Sequence, residues 1–291
     1  MKIHLVDGTY ELFRNYFGAP PKKAPDGREV GATVGLLRSL FMLVSTPGVS
    51  HVACAFDHVI ESFRNDLFAG YKTSEGVAAD LLTQFPLAER AVSALGIVVW
   101  PMVEFEADDA LATAASRFKG QPGVEQVVIC SPDKDLAQAV SGASVICWDR
   151  RRDIFLDDEG VLKKFGVRPH SIPDWLALVG DAADGLPGIP AWGAKSASAV
   201  LSRFDHLESI PEDPRELGLP VGRASRLVES LAAHRKEAFL YRRLATLRDD
   251  VPLEEGLADL EWRGARAELE EVCQELGDEG LAKRVTDRRD P

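Results

Sequence analysis

Nine acidic residues of this chain occur in five short phrases that a folded α/β protein would bring together. The phrases are LVDG, AFD, EFEADDA, SPDKD and GDAADG, and their acids are Asp7, Asp57, Glu106, Asp108, Asp109, Asp133, Asp135, Asp181 and Asp184. Carboxylates crowded in one place raise one another's pKa unless cations neutralise them. Hard oxygen ligands select Mg²⁺ or Mn²⁺ over softer metals. The sequence therefore predicts a divalent metal site that holds more than one ion.

Three of these phrases directly follow the apolar runs IHLV, HVACAF and QVVIC, which are typical of buried strands. Side chains at the carboxyl ends of parallel strands line a shared crevice where ligands bind. Two metal ions about 3.5–4 Å apart in such a crevice generate hydroxide and stabilise both oxygens of a phosphodiester displacement. The chemistry predicted is metal-assisted phosphoryl hydrolysis without a covalent nucleophile. No G-x-S-x-G, HExxH or Walker-type phosphate loop in the sequence competes with this interpretation.

Each phrase also has a plainer interpretation when it is taken alone. Asp7 and Asp57 suit turns that begin after a strand. Glu106 and Asp109 would share one face of a helix. They would lie in its first turn, where acidic side chains interact favourably with the helix macrodipole and can cap free N–H groups. Asp133 suits a helix N-cap, and GDAADG suits a turn. We favour a site because all five phrases lie at the appropriate ends of their elements.

The elements that must position these acids alternate between strand and helix up to about residue 149. Runs rich in Val and Ile predict strands at 2–7, 51–56, 97–101, 126–131 and 144–148. Apolar residues recurring every three or four positions predict helices at 32–45, 78–95 and 106–119. This alternation predicts a parallel sheet with right-handed crossovers and helices on both faces.

Helical patterns dominate after about residue 157, interrupted by the segments GLPGIPAWG and SIPEDPRELGLP. They predict helices at 158–165, 171–179, 194–203, 221–233, 235–246 and 265–276. We therefore predict three parts: an α/β core over 1–170, a smaller helical domain over 171–250 and an acidic C-terminal extension over 251–291.

The composition is that of an ordinary soluble globular protein, with 45% hydrophobic residues and a formal net charge of −12. The acidic balance alone argues against a nucleic-acid binder, but the predicted metal site accounts for much of it, and net charge does not describe a local patch. The four cysteines lack metal-ligand spacing and predict free thiols in a reducing compartment. We find no signal-peptide pattern and no apolar stretch near the roughly 20 residues of a membrane span. The expected location is the cytoplasm, without a membrane partner.

LVDG, AFD, FEADDALAT, SPDKDLAQ and GDAADGLPGIPAWGAKSA, in this order and spacing, resemble the motifs of the 5′→3′ exonuclease and flap endonuclease family of bacteria and phages. That family includes the nuclease domain of bacterial DNA polymerase I, and this chain resembles a stand-alone member over about residues 1–245. The resemblance implies a PIN- and resolvase-like nuclease core followed by a helix-turn-helix type of domain that holds duplex DNA. It also implies a monomer that cuts DNA at a 5′ flap or 5′ end in replication or repair.

The resemblance implies a role for each acidic residue, by motif match. One ion, Mg²⁺ or Mn²⁺, would be surrounded by Asp7, Asp57, Glu106 and Asp108. A second would be served by Asp133, Asp135, Asp181 and Asp184, with Asp109 close by and acting through water.

Two further segments match the family. FRNDLFAGYK resembles the start of the arch over the active site, here about residues 63–90, and implies catalytic roles for Arg64 and Lys72 with Tyr71 as a platform for a base. GLPGIPAWGAKSA resembles the element that grips the duplex backbone, with a bound K⁺. The DNA contacts implied there come from Gly188, Gly193, Lys195 and Ser196. Glycines let the backbone approach a phosphate, and the start of the following helix offers N–H donors to an anion.

The chain departs from the family pattern at two places. Glu75 stands where the family usually has a basic residue, which predicts a weaker attraction for a 5′ flap. The motif GIGPK appears here as residues 191–195, AWGAK, which has lost one Gly and one Pro, so we expect an altered duplex grip or K⁺ site. Two alternatives stay open: a PIN-like ribonuclease, which shares a similar sheet and acidic cluster, and a non-catalytic nucleic-acid-binding scaffold. A metal phosphatase is a more remote alternative.

Overall fold

The structure is a computed structural model in which residues 1–286 are described. It consists of two compact units. Unit 1 comprises Met1–Ser62, Ser74–Ser131 and the described residues from Asp249 onward. Unit 2 comprises Phe63–Thr73 and Pro132–Arg248. The three-part division predicted from the sequence stays a prediction, and residues 287–291 of its acidic extension lie outside the described residues.

The strands are β1 (Lys2–Asp7), β2 (Val49–Asp57), β3 (Val98–Met102), β4 (Gln126–Cys130), β5 (Val145–Asp149) and β6 (Ile154–Leu156). The α-helices are α1 (Gly8–Gly18), α2 (Gly31–Val44), α3 (Phe63–Leu67), α4 (Ala79–Leu82), α5 (Gln84–Ala94), α6 (Ala107–Phe118), α7 (Asp158–Phe165), α8 (Ile172–Val179), α9 (Ala194–Phe204), α10 (Val221–Ala233), α11 (Arg235–Ala245), α12 (Leu269–Glu275) and α13 (Glu279–Thr286). Short 3-10 helices occur at Asp135–Ala139, Pro169–Ser171, Leu207–Ser209, Pro214–Leu217 and Leu257–Leu260.

The sheet of unit 1 is parallel, as the sequence predicts. Its strands lie in the order β3-β2-β1-β4, so β1 is flanked on both sides. Every residue of β1 after Lys2 is buried, which is why IHLV is an unbroken apolar run rather than an alternating one. The carboxyl ends of β1, β2 and β4 consequently meet at one edge, where Asp7 and Asp57 end their strands.

The helix α1 begins at the residue that follows β1, with no connecting loop. Gly8 permits this because a Cβ at that position would lie 2.5 Å from the Phe56 ring and 2.7 Å from the Cys54 sulfur. The sequence analysis did not predict α1. Gly8 therefore lets α1 begin close against β2. No turn separates β1 from α1, so the sequence carries no turn signal at this boundary.

The segment predicted as one helix over 78–95 divides into α4 and α5. The reason is Pro86, which lacks a backbone N–H and is tolerated only in the first turn of a helix. The helix is interrupted at Thr83 so that Pro86 lies in the first turn of α5. The prediction of a single continuous helix is therefore wrong at this point, while its outer bounds agree with the structure within one residue.

The segment from Asp249 onward packs within unit 1 through several specific contacts. The Trp262 backbone N–H donates to Ser50 O at 2.7 Å, and its indole N–H donates to Leu95 O at 2.8 Å. Arg38 forms a two-bond ion pair with Asp278, with distances of 2.8 and 2.9 Å. These bonds fasten the end of the described chain to β2, α5 and α2.

Unit 2 is mostly helical, and its strands β5 and β6 form an antiparallel pair. Its core includes α8, which is buried except for its last residue. Asp174 of α8 is 2% exposed and accepts hydrogen bonds from Leu207 N and from Arg242 of α11, both at 3.1 Å. This buried carboxylate ties α8 to α11 and to the segment after α9.

Candidate active site

In unit 1, two predicted site residues lie at the carboxyl ends of adjacent strands. Asp7 ends β1 and Asp57 ends β2, and the parallel register places Asp7 beside Ala55. Their side chains are 4% and 7% exposed. A buried carboxylate is costly unless hydrogen bonds or cations compensate it, so its surroundings indicate what it is for.

The Asp7 carboxylate is fixed through both of its oxygens. Oδ1 accepts a hydrogen bond from Tyr10 N at 2.8 Å, which makes Asp7 the N-cap of α1. Oδ2 accepts from the Ser131 hydroxyl at 2.8 Å. Ser131 directly follows β4, which is paired with β1 in the sheet. The Asp7 side chain at the end of β1 is therefore oriented in part by a residue at the end of β4.

The first turn of α6 gathers three more acids around the same sheet edge. The Ala107 backbone N–H donates to Asp57 Oδ1 at 2.7 Å, which draws the helix start to the end of β2. Glu106, the N-cap of α6, is 2% exposed and accepts from the Ser62 hydroxyl at 2.6 Å. Asp109 is fully buried, and its Oδ2 accepts from Glu106 N at 3.0 Å. The helix dipole favours negative charge at this end.

Unit 1 thus brings together Asp7, Asp57, Glu106 and Asp109 as a buried acidic cluster, with Asp108 half-buried on the same first turn. The donors named above are neutral hydroxyl and backbone N–H groups. An ionised carboxylate has about four acceptor positions, so one or two such bonds do not exhaust it. Carboxylate oxygens are the donor set that Mg²⁺ and Mn²⁺ prefer, and the residues present fit a hard divalent cation.

The acids predicted for a second ion lie in unit 2, in two loops. Asp135 begins the 3-10 helix Asp135–Ala139 and is half-buried, whereas Asp133 is exposed. The N-cap of that 3-10 helix is Lys134, so the plainer interpretation of Asp133 as an N-cap is wrong. In GDAADG, Asp181 and Leu186 exchange two backbone hydrogen bonds of 2.9 and 2.8 Å. These bonds close a tight turn that fixes the buried Asp181.

Two lysines form ion pairs with the acids of this turn. Lys134 pairs with Asp181, and Lys72 Nζ lies 3.2 Å from Asp184 Oδ1. The Lys72 backbone N–H also donates to Asp184 O at 3.0 Å. Lys72, for which the resemblance implies a catalytic role, is therefore positioned directly beside Asp184, one of the predicted metal ligands of unit 2.

The neighbouring arch residues are less exposed than their predicted roles suggest. Arg64 is 1% exposed, and its guanidinium donates to Leu244 O at 2.8 Å and to Thr246 O at 3.2 Å. Tyr71 is 5% exposed, so its ring would have to become exposed before a base could stack on it. Glu75 is exposed, as a residue lining an arch would be. The roles of Arg64 and Tyr71 toward DNA stay predictions.

The predicted duplex-gripping element lies between α8 and α9. Gly188 has a φ of +71°, and a Cβ there would lie 2.6 Å from the Val179 carbonyl carbon, so only glycine fits. Gly193 and Lys195 are exposed at the start of α9. Ser196 is buried, and its hydroxyl accepts from Gly193 N at 3.0 Å, so it closes the first turn of α9.

Trp192 fixes the same turn from inside. Its side chain is 6% exposed, and its indole N–H donates to Leu227 O of α10 at 3.1 Å. The structure shows that packing and an exposed backbone at Gly193 exist together in one turn.

The hydroxyl groups of Ser62 and Ser131 were missed as site residues from the sequence. Each donates to a buried predicted ligand, and Thr9 adds a third hydroxyl that accepts from Asp57 N at 2.8 Å. A signal for Ser131 existed, because it opens the SPDKD phrase. Ser62 and Thr9 carry no local signal, since only the fold brings them to the acids.

Within residues 1–286, none of the helices combines the length and the apolar character that a bilayer crossing requires.

Comparison with known proteins places both parts of the chain. A family model described as the 5′-3′ exonuclease N-terminal resolvase-like domain matches residues 2–166, and one described as the 5′-3′ exonuclease C-terminal SAM fold matches residues 167–268. A protein named 5′-3′ exonuclease from Aquifex aeolicus (strain VF5) is 33% identical over 285 residues, which cover 97% of this chain and 94% of that protein. DNA polymerase I of Pseudomonas aeruginosa is 36% identical over 261 residues, which cover 86% of this chain and 27% of the polymerase.

Among solved structures, the flap endonuclease of bacteriophage T5, in a pseudo-enzyme-product complex with DNA and metal ions, aligns with a TM-score of 0.66 at 16% identity. The alignment covers 99% of this chain and 97% of that one, which shows a common fold. A resolvase-like N-terminal domain followed by a C-terminal SAM fold is the domain arrangement of the 5′-3′ exonuclease class of nucleases. This chain belongs to the 5′-3′ exonuclease family. The resemblance and the fold class predicted from the sequence are confirmed.

Proposed function

We propose that this protein is a divalent-metal-dependent 5′ nuclease that hydrolyses phosphodiester bonds of DNA, as a 5′→3′ exonuclease, a flap endonuclease or both. The observation that carries the proposal is the buried acidic cluster of unit 1, which lies within the residues matched by the 5′-3′ exonuclease N-terminal resolvase-like domain. Each of these four buried carboxylates costs free energy to desolvate. A cation bound among them would offset that cost.

The residues that would hold one ion are Asp7, Asp57, Glu106 and Asp108 of unit 1. Those that would hold a second are Asp133, Asp135, Asp181 and Asp184 of unit 2. Bound Mg²⁺ or Mn²⁺ would supply charge neutralisation and an acidified water at neutral pH. Asp109 would lie close to these ions and act through water, and its hydrogen bond to Glu106 N also positions Glu106.

Four further residues would support the metal ligands and the substrate: two serines orient carboxylates, one lysine supplies a positive charge and one arginine holds the segment that carries this lysine. Ser131 and Ser62 orient Asp7 and Glu106, so that these carboxylates need no reorganisation when they bind a cation. Lys72 supplies a positive charge for a phosphate. Arg64 holds α3 to the end of α11 through two carbonyls, which fixes the segment that carries Lys72.

DNA would be held by unit 2 in the turn between α8 and α9. Exposed Gly193 lets the backbone approach a phosphate, and Lys195 beside it supplies a charge. The turn at 185–196 is the proposed K⁺ site. We expect one protein molecule to act on one DNA end or flap.

The test is cleavage of 5′-labelled flap duplex, blunt duplex and single strand in Mg²⁺, Mn²⁺ and EDTA, by the wild type and by Asp57→Asn. Asn keeps the acceptor for Ala107 N but removes the charge, so the helix start is preserved while the cation loses a ligand. Asp157→Asn is the matched control, because Asp157 is the N-cap of α7 in unit 2 and its side chain accepts a hydrogen bond from Gly160 N at 2.8 Å. We expect Asp57→Asn to lower the cleavage rate by at least about 100-fold, the loss of roughly 2.7 kcal/mol of transition-state stabilisation, and Asp157→Asn to leave it unchanged.

The choice of substrates distinguishes an endonuclease, an exonuclease, a ribonuclease and a non-catalytic scaffold. Cutting of the flap near its junction supports an endonuclease, and cutting only at free 5′ ends supports an exonuclease. Cleavage of RNA in preference to DNA would replace the proposal by a ribonuclease, because only RNA offers a 2′-hydroxyl. DNA binding without cleavage of any substrate would refute it and favour a scaffold.

A further inference from the structure

A concave pocket of about 700 Å³ lies in unit 2, between α3 and α11, and plays no part in the function proposed above. Its walls include Phe63 and Asp66 of α3, Phe239, Arg242 and Arg243 of α11, and Arg248 just beyond. Pockets of roughly 300–1,000 Å³ are the usual size for a bound small group. The combination of two aromatic rings with three arginines makes its chemistry specific.

Two guanidinium groups lie near each of the two rings. Arg64 and Arg248 lie 4.7 and 5.7 Å from the centroid of Phe63. Arg242 and Arg235 lie 4.8 and 5.3 Å from the centroid of Phe239. Aromatic faces and guanidinium planes are the surfaces on which unpaired nucleic-acid bases stack. Phe63 with Arg248 and Phe239 with Arg242 line the pocket, so it offers two aromatic–guanidinium stacks, whereas Arg64 is buried behind Phe63 and Arg235 is not part of the lining.

The stacks are held in place from the protein side. Arg242 donates to Asp174 at 3.1 Å and to Glu208 at 2.6 Å, which fixes its guanidinium against Phe239. Arg64 is fixed by the carbonyls of α11 described above. A rigid stacking surface costs little entropy when a base binds to it.

The charge of the pocket selects an anion. Residues 235–248 carry five basic side chains and one acidic one, in a chain whose formal net charge is −12. Arg242 of the pocket wall is ion-paired with Asp174 and Glu208, so the positive charges that a phosphate would meet are those of Arg243, which is exposed to solvent, and Arg248, with Asp66 opposing them. An acidic protein with a local basic, aromatic pocket is suited to a ligand that has both phosphates and flat bases.

We infer that this pocket binds an unpaired segment of a nucleic-acid strand, with its phosphates on Arg243 and Arg248 and its bases stacked on the Phe63 and Phe239 groups. Bases in a duplex are already stacked on one another, so a duplex would gain only the phosphate contacts here. The inference rests on the proposed function for the identity of the strand, since a flap nuclease meets single strands. It adds a second nucleic-acid site that is separate from the acids and from the α8–α9 turn.

The test measures binding of a 3′-fluorescein six-nucleotide oligothymidylate to the full chain by anisotropy, in EDTA so that no cleavage occurs. Phe239→Leu keeps an apolar side chain and removes the ring, and we expect it to weaken binding about fivefold or more. Arg243→Glu should weaken binding and reduce the slope of log affinity against log salt by about 0.7 or more, the value for one lost phosphate contact on a single strand. Lys163→Glu, an equal change of charge at an exposed position on α7, is the matched control and should bind like the wild type.

A blunt duplex and an oligoglutamate peptide complete the experiment. Wild-type affinity in both variants would overturn the inference, and so would an equal loss for duplex and single strand, or displacement of the oligonucleotide by oligoglutamate as effectively as by unlabelled oligonucleotide. If Phe239→Leu fails to fold, the exposed Arg243→Glu still decides. Because this assay needs no metal, its result is independent of whether the cleavage test succeeds.

Discussion

Replacing Ala191 with Gly should stabilise the protein, although the substitution shortens a side chain. Ala191 has a φ of +69°, in the turn between α8 and α9. For an L-residue this left-handed conformation costs about 1–2 kcal/mol, because Cβ crowds the following carbonyl oxygen. Asp153 and Asp205, which also have positive φ, belong to a residue type that tolerates this region better. Ala191 is therefore the strained member of this group.

The expected gain is the difference between two effects. Gly removes most of the strain of about 1–2 kcal/mol, but its freer unfolded chain opposes folding by about 0.5–1 kcal/mol. The net stabilisation is about 0.5–1 kcal/mol. No buried contact is lost, because Ala191 is exposed. Urea denaturation followed by tryptophan fluorescence should show a higher midpoint for Ala191→Gly with an unchanged slope.

Ala199→Gly provides the control, because it makes the same chemical change in the middle of the helix α9. There φ is helical, no strain is relieved, and Gly should cost about 1 kcal/mol. The two variants should therefore shift the midpoint in opposite directions. A loss of stability in Ala191→Gly comparable to that of Ala199→Gly would refute the strain argument, since it would show that Ala191 gains more from its Cβ than it pays in backbone strain.

Three further outcomes are expected. Ser131→Ala should lower the free energy of unfolding, measured by urea denaturation, by about 1–3 kcal/mol, because the buried Asp7 carboxylate loses a 2.8 Å hydrogen bond. A loss below about 0.5 kcal/mol, the size of a typical surface substitution, would contradict the importance of this bond. Gly8→Ala should lower the free energy of unfolding by about 1–3 kcal/mol or more, because its Cβ would lie 2.5 Å from the Phe56 ring. Gly18→Ala is the control and should cause no such loss, because a Cβ at that position would meet no neighbouring group within 4 Å. All four cysteines are buried, and burial raises the pKa of the Cys273 thiol to about 11. At pH 8 the folded protein should therefore not react with a disulfide reagent, whereas all four cysteines should react in guanidinium.

Much of the fold could be predicted from the sequence where the local signals are strong. The helix predicted over 158–165 matches α7 to the residue, because Asp157 caps its start and Gly166, with a φ of +72°, ends it. The helix α1 could not be predicted, because it follows β1 without a turn and its cap, Asp7, was assigned to the strand end. The strand β6 has three residues and α3 has five, too few for a period to show.

For the candidate site, the sequence identified the acids but not what orients them. The phrases placed Asp7 and Asp57 at strand ends and Glu106 at a helix start, and the structure has them there. The hydroxyls that bond to these acids come from Thr9, Ser62 and Ser131, and no spacing rule links Ser62 to Glu106 over 44 positions. Contacts between residues so far apart in the sequence depend on how the strands pair, so they could not be predicted from local patterns. The ion pair of Lys72 with Asp184 is of the same kind, with 112 positions between the two residues.

The acids also show that capping a helix and binding a cation are not competing explanations of a carboxylate. Asp57 Oδ1 accepts from Ala107 N, so it helps to start α6, yet this bond uses one of about four acceptor positions. Asn serves a helix start about as well as Asp, whereas a divalent cation distinguishes the two by a full charge. If Asp57 were only structural, Asp57→Asn would leave both stability and activity nearly unchanged. If it also binds a cation, the same variant loses activity while its stability in EDTA stays close to that of the wild type, and this separation assigns the second role without disturbing the first.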